Sequence, residues 1–112
     1  MWTVNATEEY LAWFGEQPSG AKEAILARVV LLQTFGPQLS RPYADTLKGS
    51  SLGNLKELRA RTEAHVLRIA FLFDEEREAL LLIGGDKKGK NEKDFYRKLI
   101  QDAETILARY RL

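Results

Sequence analysis

The sequence of 112 residues contains no cysteine, and it has only three prolines and one histidine. The lack of cysteine excludes disulfide bonds and thiolate chemistry, and it fits a reducing compartment. One histidine without any cysteine makes no convincing zinc site, so we expect neither a metal nor a cofactor. Uninterrupted apolar runs are short, as in residues 79–83, whereas roughly 20 residues are needed to span a bilayer. We therefore expect a cytoplasmic protein that does not contact a membrane.

The residues that are present have a composition typical of a globular domain. Hydrophobic residues make up 45% and charged residues 29%, which is too apolar for a disordered chain. No internal repeat and no Pro/Gly-rich linker divides the sequence, and its length suits one hydrophobic core. We therefore predict a single domain over residues 1–112.

The net charge is only +1, but the charges are unevenly distributed along the chain. Residues 1–47 carry three basic and five acidic side chains, whereas residues 48–98 carry twelve basic and nine acidic ones. Six cations lie between Lys87 and Lys98, and such a block can bind phosphates. The alternative is a solvated basic loop followed by a helix, and the charge pattern alone favours that alternative.

Hydrophobic periodicity and turn residues predict the element order β-α-α-β-β-β-α. The predicted elements are a strand at 2–4, a helix from the Thr7 cap to Phe14, a helix from Ser19 to Gly36, strands at 55–61, 65–74 and 78–83, and a helix from Asn91 onward. Residues 37–54 are expected to be irregular, and Gly84-Gly85 to end the last strand. This order predicts an α+β fold, an antiparallel sheet with helices on one face.

Arg68 is the most informative candidate for a functional residue. Strand alternation places its large apolar neighbours on one face of the sheet and Arg68 on the other, beside Ala70. An arginine in the middle of a strand costs burial free energy unless it is paired or opens into a cleft, and the small Ala70 would leave room for a ligand. An exposed arginine on a solvated face explains the strand pattern equally well.

The preceding strand presents further cations. Glu57, Arg59 and Arg61 share one parity, so they project from the same face of the sheet. If the strands form a meander, Arg59 and Arg68 fall on one face, and two guanidinium groups in one cleft favour a phosphate between them. Alternatively, Glu57 neutralises its neighbours in a surface ladder.

A glycine- and lysine-rich loop at residues 84–90 follows the last strand. Glycines let backbone amides approach an anion, and lysines add positive charge. The loop lacks the GxxxxGK[ST] pattern of a P-loop, which argues against an ATP or GTP site. Tyr96, in the first turns of the last helix, is a candidate to stack on a base or to hydrogen-bond a phosphate, although a packing role in an amphipathic helix is commoner for such a tyrosine.

In their order along the chain, several segments resemble the HigB (phage Gp49-like) family of RelE-superfamily toxins. These segments are Asn54-Leu55-Lys56-Glu57-Leu58-Arg59, residues 68–73 and 81–87, Phe95-Tyr96 and Ala103-Glu104, with Gly36-Pro37 and residues 39–42 and 47–49 upstream. The resemblance covers nearly the whole chain. It implies a RelE-like microbial RNase fold, in which an antiparallel sheet carries two N-terminal helices and a C-terminal helix.

The same resemblance implies roles for individual residues. Arg68 would contact the scissile phosphate, Lys87 would stabilise the transition state or leaving group, and Tyr96 would contact a base or transfer a proton. The expected RNA-binding residues, from the basic strand and the lysine-rich loop, are Lys56, Arg59, Arg61, Lys88 and Lys90. Glu57 and Asp45 lie near positions where some relatives have a general base.

The resemblance also implies an activity and partners. The protein would be the toxin of a type II toxin–antitoxin system, an endoribonuclease that cleaves mRNA on the 70S ribosome and thereby inhibits translation. The ribose 2′-hydroxyl would attack the adjacent phosphate and leave a 2′,3′-cyclic phosphate, without a metal. A HigA-like helix-turn-helix antitoxin would be the protein partner, and operator DNA would be bound only through that complex. The competing hypothesis is an inactive RNA- or protein-binding module on the same fold.

Overall fold

The computed structural model describes residues 1–110, so Arg111 and Leu112 of the expected domain lie outside the described residues. The described chain forms an α+β fold, as predicted. Its elements are β1 (Val4–Ala6), α1 (Glu8–Gly15), α2 (Ser19–Phe35), a 3₁₀ turn (Gly36–Gln38), β2 (Ala44–Thr46), β3 (Lys56–Arg61), β4 (Val66–Phe73), β5 (Ala79–Asp86) and α3 (Glu92–Tyr110). Within this part of the chain, none of the helices combines the length and apolar character needed to cross a bilayer.

The five strands form one sheet in the order β1-β5-β4-β3-β2. Strands β3, β4 and β5 are antiparallel neighbours, as predicted, β2 adds a further antiparallel strand, and β1 joins the edge of the sheet parallel to β5. The parallel pairing is possible because α1 and α2 separate β1 from the later strands, which gives the chain the long connection that parallel strands require. Strand β2 lies in the segment expected to be irregular, and it pairs along the edge of β3.

Helices cover both faces of the sheet, and the expectation that they lie on one face is wrong. Helices α1 and α2 pack on the face that carries Leu67, Ile69 and Phe71. Helix α3 packs on the opposite face against Ala70 and Leu72. The physical reason is that β4 is apolar on both faces apart from Arg68, and a strand of this kind needs cover on both sides. The functional face therefore lies partly beneath α3.

Thr7 fixes the start of α1, as its capping position predicted. Its hydroxyl accepts a hydrogen bond from the Tyr10 amide at 3.0 Å and donates one to the Leu82 carbonyl at 2.7 Å. The buried side chain thereby satisfies a free amide of the helix and ties α1 to β5. Helix α2 ends at Phe35, and Gly36 follows with a φ of 56°, a conformation that glycine adopts without strain.

The prediction that Gly84-Gly85 ends the last strand is wrong. Strand β5 continues to Asp86, with Gly84 paired to Ile69 and Gly85 paired to Arg68. A Cβ atom at Gly84 would lie only 2.4 Å from the Trp13 ring, and one at Gly85 would lie 2.9 Å from the Phe95 ring. The glycines are thus required by the close approach of aromatic rings from α1 and α3, a recognised use of glycine inside a strand.

We expect Gly84→Ala to lower the free energy of unfolding by about 1–3 kcal/mol, because the added methyl group overpacks the contact with Trp13. Urea denaturation of the purified protein measures the change. Gly20→Ala is the matched control, since no atom lies within 4 Å of its added Cβ and alanine favours the helix. An equal free energy of unfolding for the two variants would contradict the packing argument.

Candidate active site

Arg68 lies in the middle of β4 with only 7% of its side chain exposed. Its Nε donates to Tyr96 Oη at 3.1 Å, and its Nη1 donates to the Leu67 carbonyl at 3.0 Å. The Glu57 carboxylate lies 3.5 Å from Nε. Arg68 also lines an open groove. Arg68 is therefore paired with Glu57 and Tyr96 inside the fold and lines the groove on its other side. The alternative of an exposed arginine on a solvated face does not hold.

Glu57 and Tyr96 complete a buried arrangement, the Glu57–Tyr96–Arg68 cluster. The Tyr96 hydroxyl donates to Glu57 Oε1 at 2.7 Å. Burial first, and then the hydrogen bond to Glu57, raise the pKa of Tyr96, although Arg68 acts in the opposite direction. The tyrosine is therefore neutral at physiological pH and acts as a donor. Glu57 is buried, so it belongs to this cluster and not to a surface ladder.

Arg59 and Arg61 of β3 stand beside Arg68. The register pairs Arg59 directly with Arg68 and Arg61 with Val66, which confirms the predicted shared face. Within residues 1–110, neither Arg59 nor Arg61 has a carboxylate oxygen within 4.0 Å. These guanidinium groups are consequently available to an external anion.

These side chains line an open groove of about 570 Å³, which we call the basic groove. Its lining residues are Arg28, Pro42, Arg59, Ala60, Arg61, Val66, Arg68, Lys87, Lys88 and Gly89. Six of the ten are cationic and none is acidic. Because like charges repel, such a lining favours a bound polyanion, and its walls concentrate the positive potential.

The lysine-rich loop supplies two of those cations. Lys87 Nζ lies 2.8 Å from Glu92 Oε1 and 5.6 Å from the centre of the Tyr96 ring. The Lys87 amide donates to the Val66 carbonyl at 2.7 Å, and Lys88 Nζ donates to the carbonyl of Glu63. The loop is thereby fastened to the β3–β4 turn.

Asp86 strengthens this attachment. One of its oxygens accepts from the amides of Val66 and Lys88 at 3.0 Å each, and the other lies 2.6 Å from His65 Nδ1. Burial alone would raise the pKa of Asp86, but the hydrogen bonds from His65 and the two amides together hold that pKa below its usual range. The ionised carboxylate therefore fixes the loop next to the groove.

Three predicted site residues lie elsewhere. Lys56 has the opposite parity to Arg59 and opens into a separate depression on the β2 side. Lys90 lies over the Phe95 ring at 6.0 Å, outside the basic groove. The Asp45 carboxylate binds Arg41 at 2.7 Å, and this hydrogen bond holds the pKa of Asp45 below its usual range, which makes it a weaker base.

The sequence analysis missed Arg28 of α2. Its Nε donates to the Arg59 carbonyl at 2.9 Å, and its guanidinium group lies 4.9 Å from the centre of the Tyr43 ring. It lines the basic groove from the opposite layer of the fold. One signal was available, since Arg28 is the only charged residue between Ala24 and Phe35.

Solved structures with the same fold are toxins of the RelE class. The E. coli toxin RelE aligns with a TM-score of 0.63 and 14% identity, over 89% of this chain and 94% of that one. RelE in the archaeal RelE–RelB complex from Pyrococcus horikoshii aligns with a TM-score of 0.58 and 14% identity, over 79% of this chain and 97% of that one. The chain thus has the RelE-like fold that the resemblance implied.

Sequence relatives identify the family within that class. The family described as Phage derived protein Gp49-like (DUF891) matches residues 12–108. A Mycobacterium tuberculosis protein named as a toxin, HigB3, is 40% identical over 84 residues, 75% of this chain and 71% of HigB3. Another from the same organism, HigB2, is 33% identical over 110 residues, and the chain spans only 54% of its length. This chain belongs to the Gp49-like (HigB) family.

Proposed function

We propose that this protein is the toxin of a type II toxin–antitoxin system and cleaves mRNA on the ribosome. The observation that carries the proposal is Arg68, which is buried and hydrogen-bonded on one side and open to a groove lined by cations on the other. A guanidinium group held in this way is preorganised for a phosphodiester. The relatives named as HigB toxins support the role of a toxin.

The reaction uses a nucleophile that the substrate itself carries. The ribose 2′-oxygen attacks the adjacent phosphorus, the bond from phosphorus to the 5′-oxygen breaks, and a 2′,3′-cyclic phosphate and a 5′-hydroxyl are formed. The proton of the 2′-hydroxyl passes to water, and the leaving 5′-oxygen takes a proton from water. Arg68 would neutralise the charge that develops on the phosphoryl oxygens, and Lys87 the charge on the leaving oxygen.

The cluster around Arg68 suggests why the ribosome is needed. Tyr96 directs its proton to Glu57, so we assign it the role of holding Arg68 and presenting its ring to a base. Glu57 is buried and accepts the Tyr96 hydroxyl, and Asp45 is bound to Arg41, so both carboxylates are already engaged and neither is placed to take the proton of the 2′-hydroxyl. An enzyme with so little base catalysis depends on precise placement of the 2′-hydroxyl, and we propose that the ribosome supplies it. We expect little activity on free RNA.

The proposed partners follow from this activity. They are mRNA on the 70S ribosome and a HigA-like helix-turn-helix antitoxin, with operator DNA contacted only through the antitoxin complex. The archaeal RelE of similar fold was solved together with RelB, which supports a protein partner of this kind. We further propose that the chain is a single domain that acts in the cytoplasm.

Induced expression in a bacterial host tests the proposal. We expect growth arrest, and primer extension should show in-frame cuts in a reporter mRNA. The control is the same reporter without its start codon, which is transcribed but not translated and should stay intact. Cuts in the untranslated reporter would indicate a ribosome-independent nuclease. Normal growth with soluble, folded protein and uncut mRNA would indicate a binding module without the chemistry.

A further inference from the structure

Three arginines extend the basic groove away from Arg68, and the reaction described above does not use them. Arg59 lies opposite Arg68 across β3 and β4, Arg61 lies two residues further along β3, and Arg28 reaches the groove from α2. We call Arg28, Arg59 and Arg61 the arginine triplet. It brings together residues from both layers of the fold, so a local sequence motif does not explain it.

Arg28 is held in place before any ligand arrives. Its Nε donates to the Arg59 carbonyl, and its guanidinium group lies over the Tyr43 ring, 4.9 Å from the ring centre. Both contacts restrict the side chain but leave its two terminal nitrogens without a protein partner among the described residues. Because Arg28 lines the basic groove, these nitrogens are accessible to an anion bound there. A guanidinium group fixed in this way loses little entropy when it binds an anion.

The triplet has no carboxylate partner, although carboxylates are plentiful in this chain. The protein contains 16 acidic and 17 basic residues. Within residues 1–110, no carboxylate oxygen lies within 4.0 Å of Arg28, Arg59 or Arg61. Three neighbouring guanidinium groups repel one another, and an anion between them removes that cost.

We propose that the arginine triplet is a second phosphate subsite, which holds the phosphate next to the scissile one in single-stranded mRNA. The proposal rests on the proposed function for the identity of its ligand. A row of cations that continues along a strand suits a single-stranded nucleic acid, whose charged backbone follows such a groove. Forked guanidinium donors suit the phosphate oxygens. The triplet binds and positions the substrate, and Arg68 acts at the reacting phosphate.

Binding of oligothymidylate DNA tests the subsite without any cleavage, because this probe lacks the 2′-hydroxyl. We expect the slope of log K against log salt concentration to become shallower by about 0.7 in Arg28→Gln, the value for one phosphate contact on a single strand. Arg61→Gln should give the same change, and the double variant little more, because both residues hold one phosphate. Fluorescence anisotropy at several salt concentrations measures these slopes.

Two further variants serve as controls. Arg77→Gln removes an equal charge from the β4–β5 turn, at the opposite end of the hairpin, where Arg77 stacks on Trp2; its slope should equal that of the wild type. Arg28→Lys keeps the charge but loses the forked guanidinium donors and the hydrogen bond to the Arg59 carbonyl. Its salt slope should therefore equal that of the wild type, while its affinity for the DNA falls. If the salt slope of Arg28→Gln equals that of Arg77→Gln, the proposal is overturned. If Arg28→Gln does not fold, Arg61→Gln carries the same test.

Cleavage on the ribosome then tests whether the subsite adjoins the scissile phosphate. Synthetic mRNAs carry one uncharged methylphosphonate, either on the 5′ or on the 3′ side of the cut. On unmodified mRNA, Arg28→Gln should raise the toxin concentration that gives half the maximal rate and leave the rate at saturating toxin unchanged. On one of the two methylphosphonate mRNAs, the wild type and Arg28→Gln should have the same half-maximal concentration. If the two proteins still differ on both methylphosphonate mRNAs, the subsite does not bind the phosphate next to the scissile one. If the wild type cleaves no mRNA, the proposed function fails. The salt dependence of oligothymidylate binding still shows whether the arginine triplet binds a phosphate.

Discussion

Arg68→Ala should abolish mRNA cleavage and also lower the free energy of unfolding by about 3–5 kcal/mol. The second effect follows from burial. The substitution removes the cation that lies 3.5 Å from Glu57 and leaves a carboxylate with 7% of its side chain exposed, and breaking a buried ion pair in this way has a cost of that size. Since natural domains are stable by only about 5–15 kcal/mol, a loss of toxicity in cells would reflect folding as much as chemistry.

A triple variant separates the two effects. Glu57→Leu, Arg68→Met and Tyr96→Phe together replace the buried cluster with apolar groups of similar volume. Such replacements of buried ion pairs are often neutral or stabilising, so we expect the triple variant to recover most of the stability that Arg68→Ala loses. It should still be inactive, because the guanidinium group is gone.

Urea denaturation followed by the fluorescence of the two tryptophans measures stability, and primer extension measures cleavage. A folded triple variant that cleaves mRNA at the wild-type rate would refute the role of Arg68. A triple variant as unstable as Arg68→Ala would instead refute the explanation by an uncompensated buried charge. The two outcomes are independent because each comes from a different measurement.

The side of the sheet that carries the site was predictable because strand alternation is a local rule. Parity placed Arg59 and Arg61 on one face of their strand, a meander would add Arg68 to that face, and the observed register confirms the shared face. The amphipathic spacing of the last helix likewise predicted α3, and with it the position of Tyr96. The overall α+β class followed from the order of these elements.

The contacts that make the site were not predictable from local pattern. Whether Glu57 is exposed depends on α3, which brings Tyr96 over it from 39 residues away. The bond from Arg28 to the Arg59 carbonyl spans 31 residues. Gly84 and Gly85 look like a strand end, but rings from two helices decide their role. The catalytic and RNA-binding roles themselves stay predictions, to be decided by the variants proposed for them.

Lys87→Met should reduce the rate of mRNA cleavage by about 10²–10³-fold, the loss expected for one preorganised charge-stabilising group. Stability should stay near that of the wild type, because the Lys87 partner Glu92 is 70% exposed and exposed ion pairs contribute little. Single-turnover cleavage in a reconstituted translation system, at saturating toxin, measures the rate. Lys98→Met is the matched control, since it also breaks a lysine–carboxylate pair, with Asp102, on the surface of α3 away from the basic groove.

Glu92→Gln, unlike Lys87→Met, should leave the cleavage rate equal to or above that of the wild type. In the free protein the Glu92 carboxylate holds Lys87 Nζ at 2.8 Å, and this hydrogen bond lowers the pKa of Glu92, so at neutral pH the carboxylate competes with a phosphate for the same cation. The same single-turnover measurement decides the matter. If Glu92→Gln slows cleavage as strongly as Lys87→Met, the intact ion pair is what the reaction needs, and the free ammonium group is not the charge that stabilises the leaving oxygen.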